Sequence, residues 1–552
     1  MTAPSAEGAF WGRVCGRGRW YPQSCAEAHD SSLCGRSQGD FASAEATKGL
    51  SDRPLETFGL PLIDGALIQR WQVAAALSAA VTTTPLQENA PNLQGQPVCR
   101  KTNSIPSRFP GGSAREELLL EKLPPSQYPQ KGYSMQRTFY PGKWTGKVVV
   151  PPSKSEAHRR MICAALTAGE TRLSGFMPSR DMTATMDCLR ALGADFREQD
   201  AELVIRGAAG DTSGVPIMDC GESGTTLRFM MPIALAAGQG GTFVMHGRLA
   251  ERPLEPYDPI FDACGVTRTR EGNTLTLRGK LRAGDYTLPG NVSSQFVTGM
   301  LYALPLLPGD STLTVTLPVE SAGYIDMTLQ CLRESGIRVE SIGDWQWRIP
   351  GGQHYQAKDA ALPGDWSQGA VLLCAGALGH QVITAGLALN STQGDRAVLR
   401  VLEQLGAHFR QTPEGLEPMG GALTGACFSG RDIPDIVPVL ALTCTQAAGE
   451  SRITDCGRLR LKESDRFAAT VELLTALGAN ICGEGDDLVI HGPTPLHGGV
   501  TLDARNDHRL VMLLALAAGI ADAPVTVTGT EALKKSWPTF VDTILALGGH
   551  IA

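Results

Sequence analysis

Long apolar runs, paired cysteines and a strong charge imbalance are all missing from this 552-residue sequence. The nearest approach to an apolar run, Leu510 to Ile520, falls short of the ~18 residues a membrane-spanning helix needs, so no membrane association is expected. Fourteen cysteines are present, yet none forms a C-x-x-C pair. Several (Cys188, Cys264, Cys331, Cys374, Cys444) sit inside apolar helical stretches, which fits reduced, buried thiols in a cytoplasmic protein better than disulfides or zinc. A formal net charge of −7 gives no support for a nucleic-acid partner. A Gly-rich phosphate loop followed by Lys-Ser or Lys-Thr is also absent, so any anion must be held by local clusters of another kind.

What is present divides into two texts. Residues 1–134 are rich in Ser, Pro, Gly, Gln and Ala and show no sustained alternation; one helix is expected over 66–81. No basic segment followed by an apolar core opens the chain, which argues against a secretory signal. The stretch Lys131-Gly-Tyr-Ser-Met135 suggests a natural start at Met135, with the upstream segment a poorly patterned extension.

From about residue 138 the chain repeats. An apolar helix ending in Leu-Gly-Ala or a close variant recurs at Gly193, Gly265, Gly336, Gly406, Gly478 and Gly548, at spacings of 72, 71, 70, 72 and 70 residues. Each glycine is expected just past a helix end, where the left-handed conformation is cheap only for glycine. A hairpin pattern follows most copies, as in ANICGEGDDLVIHG. Each unit also carries an earlier helix with a polar opening: SKSEAHRRM from Ser153, GESGTTLRFM from Gly221, VSSQFVTGML from Val292, DWSQGAVLL from Asp365, DIPDIVPVL from Asp432 and RNDHRLVMLL from Arg505. Ser, Thr, Asp and Asn are ordinary helix caps. Capping does not call for Lys154, Arg159, Arg160, Arg228, Gln295, Asp435, His508 and Arg509 close behind them. Basic side chains in a first turn oppose the helix dipole, but they suit an anion bound at the free N–H groups.

Taken together, PPSKSEAHR (151–159), GESGTTLR (221–228), ERP (251–253), NVSSQF (291–296), ESAGYID (320–326), DIPD (432–435), RLKESDR (460–466), NDHR (506–509) and KKSWPTF (534–540) resemble the EPSP synthase (3-phosphoshikimate 1-carboxyvinyltransferase) family over 138–552. The resemblance implies an α/β enolpyruvyl transferase fold: two domains, each of three βαβαββ units, with the active site between them. It implies one discontinuous domain of 138–152 plus 362–552 and a second of 153–361. It also implies transfer of the enolpyruvyl group of phosphoenolpyruvate to the 5-hydroxyl of shikimate-3-phosphate, with release of phosphate and without metal or organic cofactor. A cytoplasmic monomer acting on these two small molecules is the expectation.

By motif match, Lys154, Ser293, Ser294 and Ser321 are expected at the shikimate phosphate, and Ser155, Arg159, Gln295 and Tyr324 at the rest of that substrate. Lys154, Arg252, Arg466, Arg509 and Lys535 are expected to clamp phosphoenolpyruvate, with Gly224 and Thr225 shaping its phosphate pocket. Asp435 would meet the ring hydroxyls and accept a proton, Glu463 would exchange the proton at C3 beside Lys462, and His508 would serve the leaving phosphate. Two positions depart from the family pattern: Glu222 stands where Asn is common, and Arg458 where some members have Asn. Within the same fold, UDP-N-acetylglucosamine enolpyruvyl transferases carry a reactive Cys shortly before an Arg-Pro; HGRLAERP (246–253) has none, and SKS replaces their Ala-Lys-Asn. The six units and the KES-DR set likewise separate the chain from RNA-terminal-phosphate cyclases.

Overall fold

The computed structural model describes residues 134–208 and 214–552. The extension expected upstream, with its helix at 66–81, lies outside the described residues as far as residue 133. Met135 itself is tied down: its N–H donates to Glu531 Oε2 at 3.0 Å, and its carbonyl accepts from the Thr530 N–H at 3.1 Å.

Twelve α-helices occur among the described residues: α1 (Lys154–Ala165), α2 (Arg180–Ala191), α3 (Gly224–Ala237), α4 (Asp258–Cys264), α5 (Ser294–Ala303), α6 (Ala322–Glu334), α7 (Trp366–Ala377), α8 (Val398–Gln404), α9 (Val437–Cys444), α10 (Arg466–Ala476), α11 (His508–Ile520) and α12 (Phe540–Ala546). The even-numbered helices are the ones that end at the repeated glycines. All six of those glycines have φ between 70° and 97°, the left-handed region expected from the sequence.

The second unit shows the plan. Strand Ile217–Asp219 runs parallel to Gly240–Val244, with α3 as the crossover, and the hairpin Thr267–Glu271 and Thr274–Arg278 adds antiparallel strands. Five four-stranded sheets follow this order, and a sixth has three strands. In the sixth, the hairpin is replaced by the start of the described chain. Gln136–Phe139 pairs antiparallel with Val525–Thr528, and Phe139 bridges Ile551.

Two strands are exchanged between halves. Thr145–Val149 leads into α1 but pairs with Gln381–Ala385, whereas Ala360–Ala361 leads into α7 but pairs with Glu170–Ser174. The apolar residues accordingly form two separate buried clusters. One, the core of a discontinuous lobe, joins Phe139–Val150 to Trp366–Leu547; the other, the core of a continuous lobe, runs from Ala157 to Tyr355. In the discontinuous lobe, α7, α9 and α11 pack on one another; in the continuous lobe, α3 packs on α5. These helices are apolar on nearly every face because they are enclosed on every face. The ten cysteines among the described residues are free, eight of them buried, with Cys427 and Cys482 exposed. No helix among these residues is long and apolar enough to cross a membrane.

Candidate active site

Helix starts of the continuous lobe and a 3₁₀ turn and loops of the discontinuous lobe converge on one cleft. The continuous lobe contributes Lys154, Ser155 and Arg159 of α1, Asp181 of α2, Gly224, Thr225 and Arg228 of α3, Ser293, Ser294 and Gln295 around the start of α5, and Ser321 and Tyr324 at α6. Arg252 follows a short 3₁₀ turn on the same side. The discontinuous lobe contributes Asp435, Arg458, Lys462 and Glu463.

Local sequence explains most of this placement. Ser153, Ser223, Ser293, Asp365 and Asp507 each cap a first helix by accepting from a backbone N–H one turn in, at 3.4, 3.2, 3.3, 3.0 and 2.9 Å. After the caps Ser153, Ser223 and Ser293 the next residues line the cleft, whereas those after Asp365 and Asp507 are buried behind it. The DIPD unit differs from expectation. Its helix starts at Val437 after Ile436, which makes no side-chain cap, and Pro438 occupies the first turn. Asp435 therefore lies ahead of the helix, with its carboxylate free for other partners. Gly224 matters sterically, because a Cβ there would sit 2.6 Å from Arg252 Nη1. Glycine lets that guanidinium lie against the α3 terminus.

The carboxylates sit in a cationic frame. Asp435 Oδ1 accepts from Lys462 Nζ at 3.1 Å and from Arg466 Nη1 at 2.9 Å, and the Tyr324 hydroxyl donates to Oδ2 at 3.4 Å. Burial alone would raise the Asp435 carboxyl, but Lys462, Arg509 and Arg466 hold it well below the usual range. Glu463 behaves alike: burial opposes ionisation, and Arg466, Arg252 and Lys462 overcome it. Burial makes the Lys462 ammonium more acidic than usual, partly offset by Asp435. Behind this set, Asp395 is pushed up to about 7 by burial and then by the charge of Asp435, and it accepts from the Ser367 hydroxyl.

Four expected residues do not line the cleft. Arg466 is almost fully buried behind it, bonded to Glu463 Oε2 at 2.6 Å and to Asp507 Oδ2 at 2.9 Å as well as to Asp435. Arg509 donates to the Ser367 carbonyl at 3.2 Å, and its Nη2 is 3.9 Å from Asp435 Oδ2. His508 is buried and held well below 6.5, by burial first and by Arg509 next, so its imidazole is neutral. Lys535 donates to Glu222 Oε2 at 2.9 Å and to the Asn506 carbonyl at 2.6 Å.

A sequence model of the EPSP synthase (3-phosphoshikimate 1-carboxyvinyltransferase) family matches residues 140–544. The chain belongs to the EPSP synthase family. Curated relatives named 3-phosphoshikimate 1-carboxyvinyltransferase include one from Clostridium botulinum (strain Eklund 17B / Type B), 38% identical over 424 residues, or 75% of this chain and 97% of that one. Another, from Clostridioides difficile (strain 630), is 37% identical over 425 residues, covering 75% and 97%. Among solved structures, an EPSP synthase from Acinetobacter baumannii superposes with a TM-score of 0.62 at 25% identity, covering 76% of this chain and 100% of that chain. The enolpyruvyl transferase NikO from Streptomyces tendae shares the fold, with a TM-score of 0.63 at 19% identity over 76% and 99%.

Against the family pattern, the two departures acquire partners. Glu222 does not stand as a lone carboxylate, because Lys535 and the Asn506 amide (2.9 Å) both donate to it from the other lobe. Arg458 reaches across the cleft to Ser321. Sequence reasoning passed over three polar lining residues. Arg228, singled out only for its place in a first turn, donates to Gln295 Oε1 at 2.7 Å and to the Pro253 carbonyl at 3.0 Å. Asp181 accepts from Lys154 Nζ at 2.8 Å; no local pattern marks it, since it opens a second helix 27 residues away. Arg458 was visible only as a departure.

Proposed function

We propose that this protein transfers the enolpyruvyl group of phosphoenolpyruvate to the 5-hydroxyl of shikimate-3-phosphate and releases phosphate, as a monomer in the cytoplasm. The two lobes are read as domains of 138–152 plus 362–552 and of 153–361. One observation carries the reading: fourteen of the residues expected from the motifs line a single cleft, drawn from both lobes.

In the addition step, O5 bonds to C2, the hydroxyl proton leaves and a proton enters C3. In the elimination step, C3 gives up a proton, the C2–O bond to phosphate breaks and the double bond returns. Asp435 is read as the acceptor of the hydroxyl proton, and Glu463 as the group that delivers and reclaims the proton at C3. Lys462, 3.1 Å from Asp435, is the nearby acid. Arg466 and Arg252 hold Glu463 anionic. An anionic donor seated on Arg252 cancels part of that field and raises the carboxyl toward a range where it can carry a proton. Arg466, Arg509 and His508 are read as fixing this set from behind, and Lys535 as reaching the donor once Glu222 releases it.

Phosphate release from the purified protein tests the reaction: it is expected to require phosphoenolpyruvate and shikimate-3-phosphate together. Release with UDP-N-acetylglucosamine in place of the shikimate would overturn the reading. The Glu222 pairing makes a second expectation. Glu222→Asn removes a negative charge held against Lys535, so steady-state kinetics should show a several-fold lower KM for phosphoenolpyruvate. A higher KM would mean that Glu222 orients the lysine rather than withholding it.

A further inference from the structure

The phosphate of the ring substrate is a dianion, and the motif reading gives it three serines and one cation, Lys154. That cation is already shared. Its ammonium is 2.8 Å from Asp181, and the same lysine is assigned to the enolpyruvyl donor. Of the other arginines on the cleft wall, Arg252 is assigned to the enolpyruvyl donor, and Arg159 and Arg228 have most of their donors engaged within their own lobe. Arg159 spends Nε on Thr328, Nη1 on the Ser155 carbonyl and Nη2 on the Tyr324 carbonyl. Arg228 spends both Nη groups on Gln295 and Pro253.

Arg458 is different. It sits in the 3₁₀ turn Gly457–Leu461 of the discontinuous lobe, pinned by the fully buried Leu459 beside it. Its side chain crosses to the continuous lobe, where Nη1 donates to Ser321 Oγ at 2.8 Å and Nε lies 3.1 Å from Glu320 Oε2. Ser321 is held at φ 57° ahead of α6 and makes no cap bond with its side chain, so its hydroxyl is available to the cleft. A guanidinium has five donors in a planar fork suited to phosphate oxygens, and Glu320 stands beside this one as a counter-charge.

We propose that Arg458 binds the phosphate of the ring substrate from across the cleft, completing with Ser293, Ser294 and Ser321 a site built from both lobes. The proposal rests on the reaction assigned above and adds a residue and a coupling to it. Because the serines and the arginine lie on opposite lobes, the phosphate is held from both sides, and a ring lacking the phosphate is not.

The test compares shikimate-3-phosphate with shikimate in Arg458→Ala and Arg458→Lys proteins, alongside KM for phosphoenolpyruvate. Arg458→Ala should weaken shikimate-3-phosphate about 10- to 100-fold, the scale of a lost charge-assisted hydrogen bond. Shikimate, measured as a competitive inhibitor, should change little, and Arg458→Lys should fall between. Equal weakening of both rings, or none of either, would show a lobe-bridging ion pair to Glu320 and overturn the proposal. Should the unsubstituted protein release no phosphate from its two substrates, the reaction itself fails. Calorimetric titration of the two rings then still decides Arg458.

Discussion

A Glu463→Gln protein is expected to fold and to bind both substrates, yet to lose about 10²- to 10⁴-fold in kcat, the range spanned by a positioned general acid–base group. Glutamine keeps the shape of the side chain, and its carbonyl oxygen can still accept from Arg466, which now bonds Glu463 Oε2 at 2.6 Å. What it lacks is a titratable oxygen. The loss should therefore fall on kcat rather than on either KM, and exchange of solvent hydrogen into C3 of phosphoenolpyruvate should fall with it. Steady-state kinetics together with deuterium incorporation measures both. Full kcat in the Glu463→Gln protein would remove Glu463 from the proton transfers and leave Lys462, whose ammonium is made more acidic by burial, as the group to examine.

Arg466→Met is the second large effect, this time on stability. The guanidinium is 1% exposed and its partner Asp507 is 0% exposed, with Glu463 and Asp435 on the remaining nitrogens. Removing the cation strands a fully buried carboxylate that also accepts from the Ser464 hydroxyl and the Arg509 N–H. Breaking such a pair costs about 3–5 kcal/mol, readable as a lowered denaturant midpoint. Arg466→Lys should recover part of the charge but not the fork geometry. The acid side sharpens the contrast. Asp435 and Glu463 have depressed folded-state values, so their stabilisation holds above the ordinary carboxylate range and fades only as pH falls through the folded values. His158 and His508 act earlier. Both are held below 6.5 by burial, so the unfolded chain takes up protons that the folded chain refuses, and stability should begin to fall as pH drops below about 6.5.

The glycines and caps were readable because they are local. Gly193 or Gly478 adopts positive φ through its immediate neighbours and its missing Cβ, and Ser223 or Asp507 caps a helix within its own turn. The DIPD stretch differed at the same scale, since the helix starts only at Val437 and Asp435 lies ahead of the first turn in which it was expected. Asp181 could not be found this way at all. Its link to Lys154 depends on how α1 packs against α2, not on any spacing along the chain.

By itself, then, the sequence determined the repeating unit, its six occurrences, the polar residues at the helix starts and the family. All follow from short-range rules of periodicity, capping and backbone freedom, or from motifs read in order. The tertiary structure decided which of those residues meet. It exchanged Thr145–Val149 and Ala360–Ala361 between lobes, closed the last sheet with the strand at 136, tied Lys535 to Glu222 from 313 positions away and brought Arg458 onto Ser321. It also decided charge. A carboxylate in the sequence is only a candidate, and its protonation depends on burial and on the through-space distance to cations. Those distances exist only once the chain has folded: Lys462, Arg466 and Arg509 reach Asp435 within its own lobe, and Arg252 reaches Glu463 from the other.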